Sequence, residues 1–169
     1  MPTKMKPLPT LEALKASLHY NPETGEFTRL SNMSPAGFIY TRRDGERSDI
    51  RIKVSGVSYL AHRLAWMYYT GCDPMDMEID HKNGNSIDNR FENLRKVKRV
   101  INCRNAKKRK DNKTGITGVC FDISNKRYLV QIGTDKGRRK KLVCDFFEAC
   151  CLRKSWEREI KTYSSRHGV

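Results

Sequence analysis

The chain has 169 residues, 37 % of them apolar and 31 % charged, with a formal net charge of +15. That length suits one ordinary domain, or two to three small modules, around a thin core. No run approaches the roughly 20 apolar residues of a membrane-spanning helix. So large a positive excess calls for a polyanionic partner, most commonly nucleic acid.

The charge is placed and not diffuse. Residues 1–76 hold 10 Lys and Arg against 8 Asp and Glu, whereas residues 77–169 hold 24 against 11. The stretch Arg95 to Lys113 alone has ten basic residues and one acid, Asp111. The six cysteines (Cys72, Cys103, Cys120, Cys144, Cys150 and Cys151) show no CxxC spacing. The start, MPTKMKPLPT, lacks the apolar segment of a secretion signal. These features predict reduced thiols in a cytoplasmic protein, with no structural zinc and no membrane partner.

In chain order, Met1 to Thr10 has three prolines and reads as a loose arm. Leu11, Leu14 and Leu18 predict a short amphipathic helix over Leu11 to Tyr20. Asn-Pro and Thr-Gly signals in YNPETGEFTRL precede a strand, Glu26 to Leu30. Ile50, Ile52 and Val54 alternate in the next strand. A tight turn at Ser55-Gly56 leads to a strand over Val57 to Leu60 and then to a helix from about Ala61 to Tyr69, stopped by Gly71.

The polar stretch EIDHKNGNSIDNRFENL, Glu78 to Leu94, follows. MEID is a short extended segment and Asn83-Gly84 a strong turn signal. LRKV is a second short strand, and KRVINCRNAKKRKD a basic helix. After the linker DNKTG come three strands, Gly118 to Asp122, Arg127 to Gly133 and Arg138 to Val143. Asp145 is placed to N-cap a last helix, Phe146 to about Tyr163, with Ala149, Leu152, Trp156, Ile160 and Tyr163 on one face.

Asp80 and His81 carry the chemistry of the polar stretch. Hydrolysis of a phosphodiester requires a water to lose a proton and charge to be neutralised at the phosphate and the leaving oxygen. A neutral histidine serves the first need. A hard divalent cation held by oxygen ligands serves the second. Adjacent residues of a strand point to opposite sides, so Asp80 reaches the helix behind it while His81 faces the substrate, and the ligand completing the site comes from the following helix. Asn102 is the polar side chain one to two turns into that helix, with Asn105 as its alternate.

AHRLAW, EIDHKNGN, NRFENLR and RVINCRN, in this order and spacing, resemble the HNH endonucleases of phages and group I introns. The resemblance spans roughly residues 20–110. It implies a ββα-metal core with His81 as general base and a single Mg2+ or Mn2+ on Asp80 and Asn102. Asn93 is then the central Asn that braces the loop and keeps His81 oriented. The third family position is often His and is Asn102 here. The implied reaction is cleavage of duplex DNA to 5′-phosphate and 3′-hydroxyl ends. His62, in AHRLAW, suits packing or a phosphate contact.

TGITGVCFDISNKRYLVQIGTDKGRRKKLVCDFFEACCLRKSWERE resembles the plant ethylene-response-factor (Apetala-two) DNA-binding domain, although Tyr128 stands where that family usually has Trp. This resemblance implies a three-stranded sheet in the major groove, backed by one helix. Arg127, Gln131, Arg138, Arg139 and Lys141 are its candidate base or phosphate contacts. Lys98, Arg99, Arg104, Lys107, Lys108, Arg109 and Lys110 form a phosphate-binding run, joined by Arg63 and Arg95 beside the motif.

The expected fold is α+β: N-terminal hairpins and a nuclease core, then a three-stranded antiparallel sheet on a helix. The expected boundaries are an arm and helix over 1–19, a nuclease domain over 20–110 and a DNA-binding domain over 111–169. No heptad pattern argues for a dimer, and one site per monomer favours nicking. The rival expectation is a DNA-binding regulatory or architectural protein with a vestigial nuclease site.

Overall fold

Thr10 opens the first helix, α1 (Leu11–Ser17), by accepting the Ala13 N–H at 3.2 Å on its side-chain oxygen. The helix ends at Ser17, three residues before the expected Tyr20. Leu18–Tyr20 is instead a strand, β1, paired antiparallel with β2 (Phe27–Arg29). The Asn21-Pro22 turn folds β2 back early, and pairing then buries Leu18 and Tyr20 on one side. β3 (Pro35–Ala36) completes this small sheet.

The computed structural model describes residues 6–41, 45, 48–104, 111–134, 136–160 and 163, with only the backbone at 103 and 104. It divides into two units, 1–98 and 99–169. Both are mixed α+β with small antiparallel sheets.

In the first unit, β4 (Phe38–Thr41), β5 (Ser48–Val54) and β6 (Val57–Leu60) form a second antiparallel sheet in sequence order. The expected Ser55-Gly56 turn joins β5 to β6, with both residues at positive φ (48° and 80°). α2 (Ala61–Thr70) follows directly and stops at Gly71, whose left-handed φ of 73° lets its N–H reach the Met67 carbonyl at 2.9 Å. Leu14, Leu18, Ile52 and Leu64 are fully buried in one core with Tyr20, Phe27, Ala65, Ile79 and Leu94. Each such aliphatic side chain contributes about 1.5–3 kcal/mol of transfer free energy. β7 (Glu78–His81) and β8 (Leu94–Val97) form a separate hairpin, with the 3-10 turn Phe91–Asn93 leading into β8.

The second unit begins with α3 (Arg99–Arg104). β9 (Val119–Asp122), β10 (Arg127–Thr134) and β11 (Gly137–Val143) make an antiparallel sheet with β10 central. α4 (Phe146–Ile160) packs on it, N-capped by Asp145, which accepts the Glu148 N–H at 2.8 Å. Val119, Val130, Ile132, Val143, Ala149 and Trp156 are the buried core. Leu152, Ile160 and Tyr163 pack against it, the face read from the helical spacing. Among the described residues no helix is long and apolar enough to cross a membrane.

Candidate active site

In the β7–β8 hairpin, His81 lies opposite Leu94 and Asp80 opposite Arg95. Strand alternation turns Ile79 and His81 to the buried side and Asp80 to the other. Asp80 Oδ2 accepts two hydrogen bonds from its cross-strand partner, Arg95 Nε at 2.9 Å and Nη2 at 2.6 Å. Opposite charges directly across a ladder favour that register.

The loop joining the strands is braced by its own asparagines. Asn93 Oδ1 accepts the Asn83 N–H (3.0 Å), and its Nδ2 donates to Asn83 Oδ1 (3.0 Å) and the Asp88 carbonyl (2.8 Å). Its carbonyl accepts the Lys82 N–H at 2.8 Å. Asn93 therefore ties the start of the loop to its end while being itself buried. Asp88 accepts Arg90 Nε (2.9 Å), Arg90 Nη2 (2.8 Å) and Asn83 Nδ2 (2.8 Å). The Arg90 side chain above all, helped by the Arg90 N–H and Asn83, lowers the Asp88 carboxyl to about 2. Ser86 anchors the loop outward by donating its hydroxyl to the Ser48 carbonyl on β5.

His81 is only 6 % exposed, and its Nε2 lies 3.1 Å from Asn89 Oδ1. His62, on the first turn of α2, stands edge-on to it with ring centroids 5.1 Å apart. Burial, then the nearby charges of His81 and Arg63, lower the His62 imidazole to about 3, so it is neutral near pH 7. Asn89 is 2 % exposed, and its carbonyl accepts the Tyr20 hydroxyl at 2.7 Å. Tyr20 is set between Phe27 and Tyr68, with centroids 4.7 and 5.8 Å away. The Asn21–Gly25 turn braces the same segment: the Phe91 N–H donates to the Pro22 carbonyl at 3.0 Å. Gly25 meets the backbone of Asn89 and Arg90 so closely that a Cβ there would lie 2.4 Å from Arg90 N.

This histidine, its asparagine-laced loop and the helix carrying His62 all fall inside one recognisable segment. Residues 59–104 match the HNH endonuclease family. The matching segment runs from β6 through α2 and the hairpin to the end of α3. No curated protein matches the chain by sequence. Among solved structures, it is similar to that of the HNH homing endonuclease I-HmuI, described for DNA binding and cleavage. The identity is 17 % over 95 % of this chain and 94 % of that one, with a TM-score of 0.45.

Within the HNH segment, Asp80 offers a carboxylate that is largely sheltered, its side chain 15 % exposed. Asn102 lies half-buried on α3, at the start of the second unit. Among the described residues there is no group of three or more His, Cys, Asp and Glu suited to a metal. The Asp80 carboxylate is the type of oxygen ligand that a hard ion such as Mg2+ takes, an ion that retains several waters and needs few protein ligands.

The proposed DNA contacts fall into different places. Arg63 is 7 % exposed on α2 and ion-paired with Asp73 at 3.4 Å. Arg95 is engaged with Asp80. Lys98 and Arg99 are exposed. The Arg104 side chain and Lys107, Lys108, Arg109 and Lys110, with the alternate ligand Asn105, lie outside the described residues.

In the second unit the β10–β11 register sorts the rest. Arg139 and Lys141 pair with Ile132 and Val130, whose side chains are in the core, and so share the helix-backed side. Arg139 donates to Glu159 at 2.7 Å and stands 4.5 Å from the Trp156 ring centroid. Gln131 faces Lys140 across the ladder, and Gly133 faces Arg138. The outward row is therefore Arg127, Gln131, Arg138 and Lys140. A period of two through the basic run puts Arg138 and Lys140 on one side and Arg139 and Lys141 on the other. Asn89 was missed for another reason: nothing in IDNR distinguishes a buried asparagine from a turn former.

Proposed function

We propose that this chain is a metal-dependent HNH endonuclease that hydrolyses phosphodiester bonds of duplex DNA, leaving 5′-phosphate and 3′-hydroxyl ends. The observation that carries this reading is the sheltered His81 imidazole, fixed on its Nε2 side, inside the segment matching the HNH family. His81 accepts the proton of the attacking water. Asn93 keeps the loop around it closed. Asp80, with Asn102 as the second expected ligand, would hold the divalent ion. When bound, that ion supplies charge neutralisation at the phosphate and the leaving oxygen.

The exposed Lys98 and Arg99 and the basic run after them hold the backbone. The second unit acts as an Apetala-two-like module whose outward row, Arg127, Gln131, Arg138 and Lys140, lies against the duplex. On this reading the protein is a homing-type enzyme of phage or intron origin, working as a monomer in a bacterial cytoplasm.

Plasmid cleavage with Mg2+ or Mn2+ tests the assignment. Wild type converts supercoiled plasmid to nicked or linear product, and a chelator stops it. His81→Ala lowers the rate at least ~100-fold, the scale of losing a general base. A His81→Ala protein that cuts as fast as wild type removes His81 from the mechanism. Binding without cleavage under any divalent ion defeats the nuclease reading altogether.

A further inference from the structure

We infer that Asn89 is a second positioning residue of the site, beside Asn93: its side-chain oxygen selects the tautomer of His81 that carries its proton on Nε2 and its basic lone pair on Nδ1. This rests on the proposed role of His81 and adds a residue to it. A neutral imidazole has one N–H and one lone pair, and its partners decide which nitrogen has which. An amide oxygen only accepts. With Asn89 Oδ1 at 3.1 Å from Nε2, that nitrogen is the donor. The proton taken from water then goes to Nδ1, and the resulting imidazolium keeps its bond to Asn89.

Two further features separate this role from ordinary packing. The first is cost. Asn89 is 2 % exposed and its Nδ2 has no hydrogen-bond partner among the described residues. An apolar side chain there would leave no orphan donor, so packing alone gives no reason for the amide. The second is how firmly Asn89 is held from outside the loop. Tyr20 donates to its carbonyl at 2.7 Å, and the Gly25 turn lies against its backbone, both more than sixty residues earlier in the chain. The N-terminal β1–β2 hairpin thus serves as the mount for the residue that orients the base.

The experiment has two arms. In the first, full-length Asn89→Ala, Asn89→Leu and Asn89→Asp are compared with wild type in DNA cleavage. Losing an orienting partner of a site imidazole lowers activity on the order of 10–100-fold. That loss is expected in kcat for the Ala and Leu variants, with KM for DNA within about twofold. Asn89→Asp keeps an acceptor oxygen and recovers most of the rate. Asn89→Ala at the wild-type rate, or Asn89→Asp as slow as Asn89→Ala, overturns the proposal. In the second arm, nitrogen–proton correlation NMR of 15N-histidine-labelled wild type reads the His81 tautomer directly. A proton on Nε2 is expected, and a proton on Nδ1 overturns the proposal. This arm needs no cleavage, so it still decides the role of Asn89 should the chain prove not to cut DNA.

Discussion

His62 shows how one residue can be tied to the site without reacting in it. Its ring lies edge-on to His81, and burial is the largest reason its imidazole titrates near 3 instead of near 6.5. In the folded chain it stays neutral until about pH 3, whereas in the unfolded chain it takes a proton near 6.5. Between those values the unfolded state binds more protons, so stability falls as pH is lowered through that window. Replacing His62 by Phe keeps an aromatic ring against His81 and removes the titration. Urea midpoints measured from above pH 6.5 down to about 3 should fall less steeply for His62→Phe than for wild type. Equal slopes would show that His62 is not the group that charges on unfolding. Asp88 acts at lower pH, and its downward shift comes from partners that favour its charged form, not from burial. Its carboxyl is lowered to about 2 by Arg90, so its contribution is complete above 3.8 and is lost only as pH falls towards 2.

At the scale of elements, the Asn21–Gly25 turn and the 88–91 segment work as one. Gly25 sits at φ +78°, and a Cβ there would fall 2.4 Å from Arg90 N and 2.5 Å from the Asn89 carbonyl carbon. Both partners are backbone, so neither gives way without moving the loop. Gly25→Ala should therefore cost about 1–3 kcal/mol for the left-handed conformation alone, with the clash added. For a unit of this size that lowers Tm on the order of 4–8 °C per kcal/mol, and DNA cleavage should fall with it because Asn89 moves. A variant with wild-type melting and activity would mean that the turn does not brace the loop. The same coupling explains what was legible in the sequence. β5, the Ser55-Gly56 turn, α2 and α4 each announce themselves by local periodicity and a cap, and Asp80, His81 and Asn93 stand out in a strand–loop–strand frame. β1, β3 and β4 are two to four residues long, too short for alternation to register, and they exist because a neighbour pairs with them. The burial of Asn89 is written partly in Tyr20 and Gly25, which no window around residue 89 contains.

Across the whole molecule, charge is divided as the folding units are. Residues 99–169 hold 19 Lys and Arg against 7 Asp and Glu, a net of +12, whereas residues 1–98 hold 15 against 12, a net of +3. The unit with the HNH hairpin is nearly balanced, and the unit with the β9–β11 sheet is the polycation. Such a division suits a chain in which one part holds DNA through phosphates and the other performs the chemistry, since phosphate contacts add affinity without sequence information. Not every basic residue should count equally. Arg138 and Lys140 project outward from β11, whereas Arg139 is held by Glu159 and Trp156 on the helix-backed side. The slope of log K against log salt concentration separates them, because each phosphate contact contributes about 0.9 to it. Replacing Arg138 and Lys140 together by alanine should reduce the slope by roughly 2. Arg139→Ala should leave the slope unchanged and act on the stability of the second unit instead, through its lost packing on Trp156. Fluorescence-anisotropy titrations of duplex DNA at several salt concentrations, with the divalent ion withheld so that binding is read without cleavage, provide the slopes. If the double variant keeps the wild-type slope, the outward face of the sheet is not the surface that meets the phosphates.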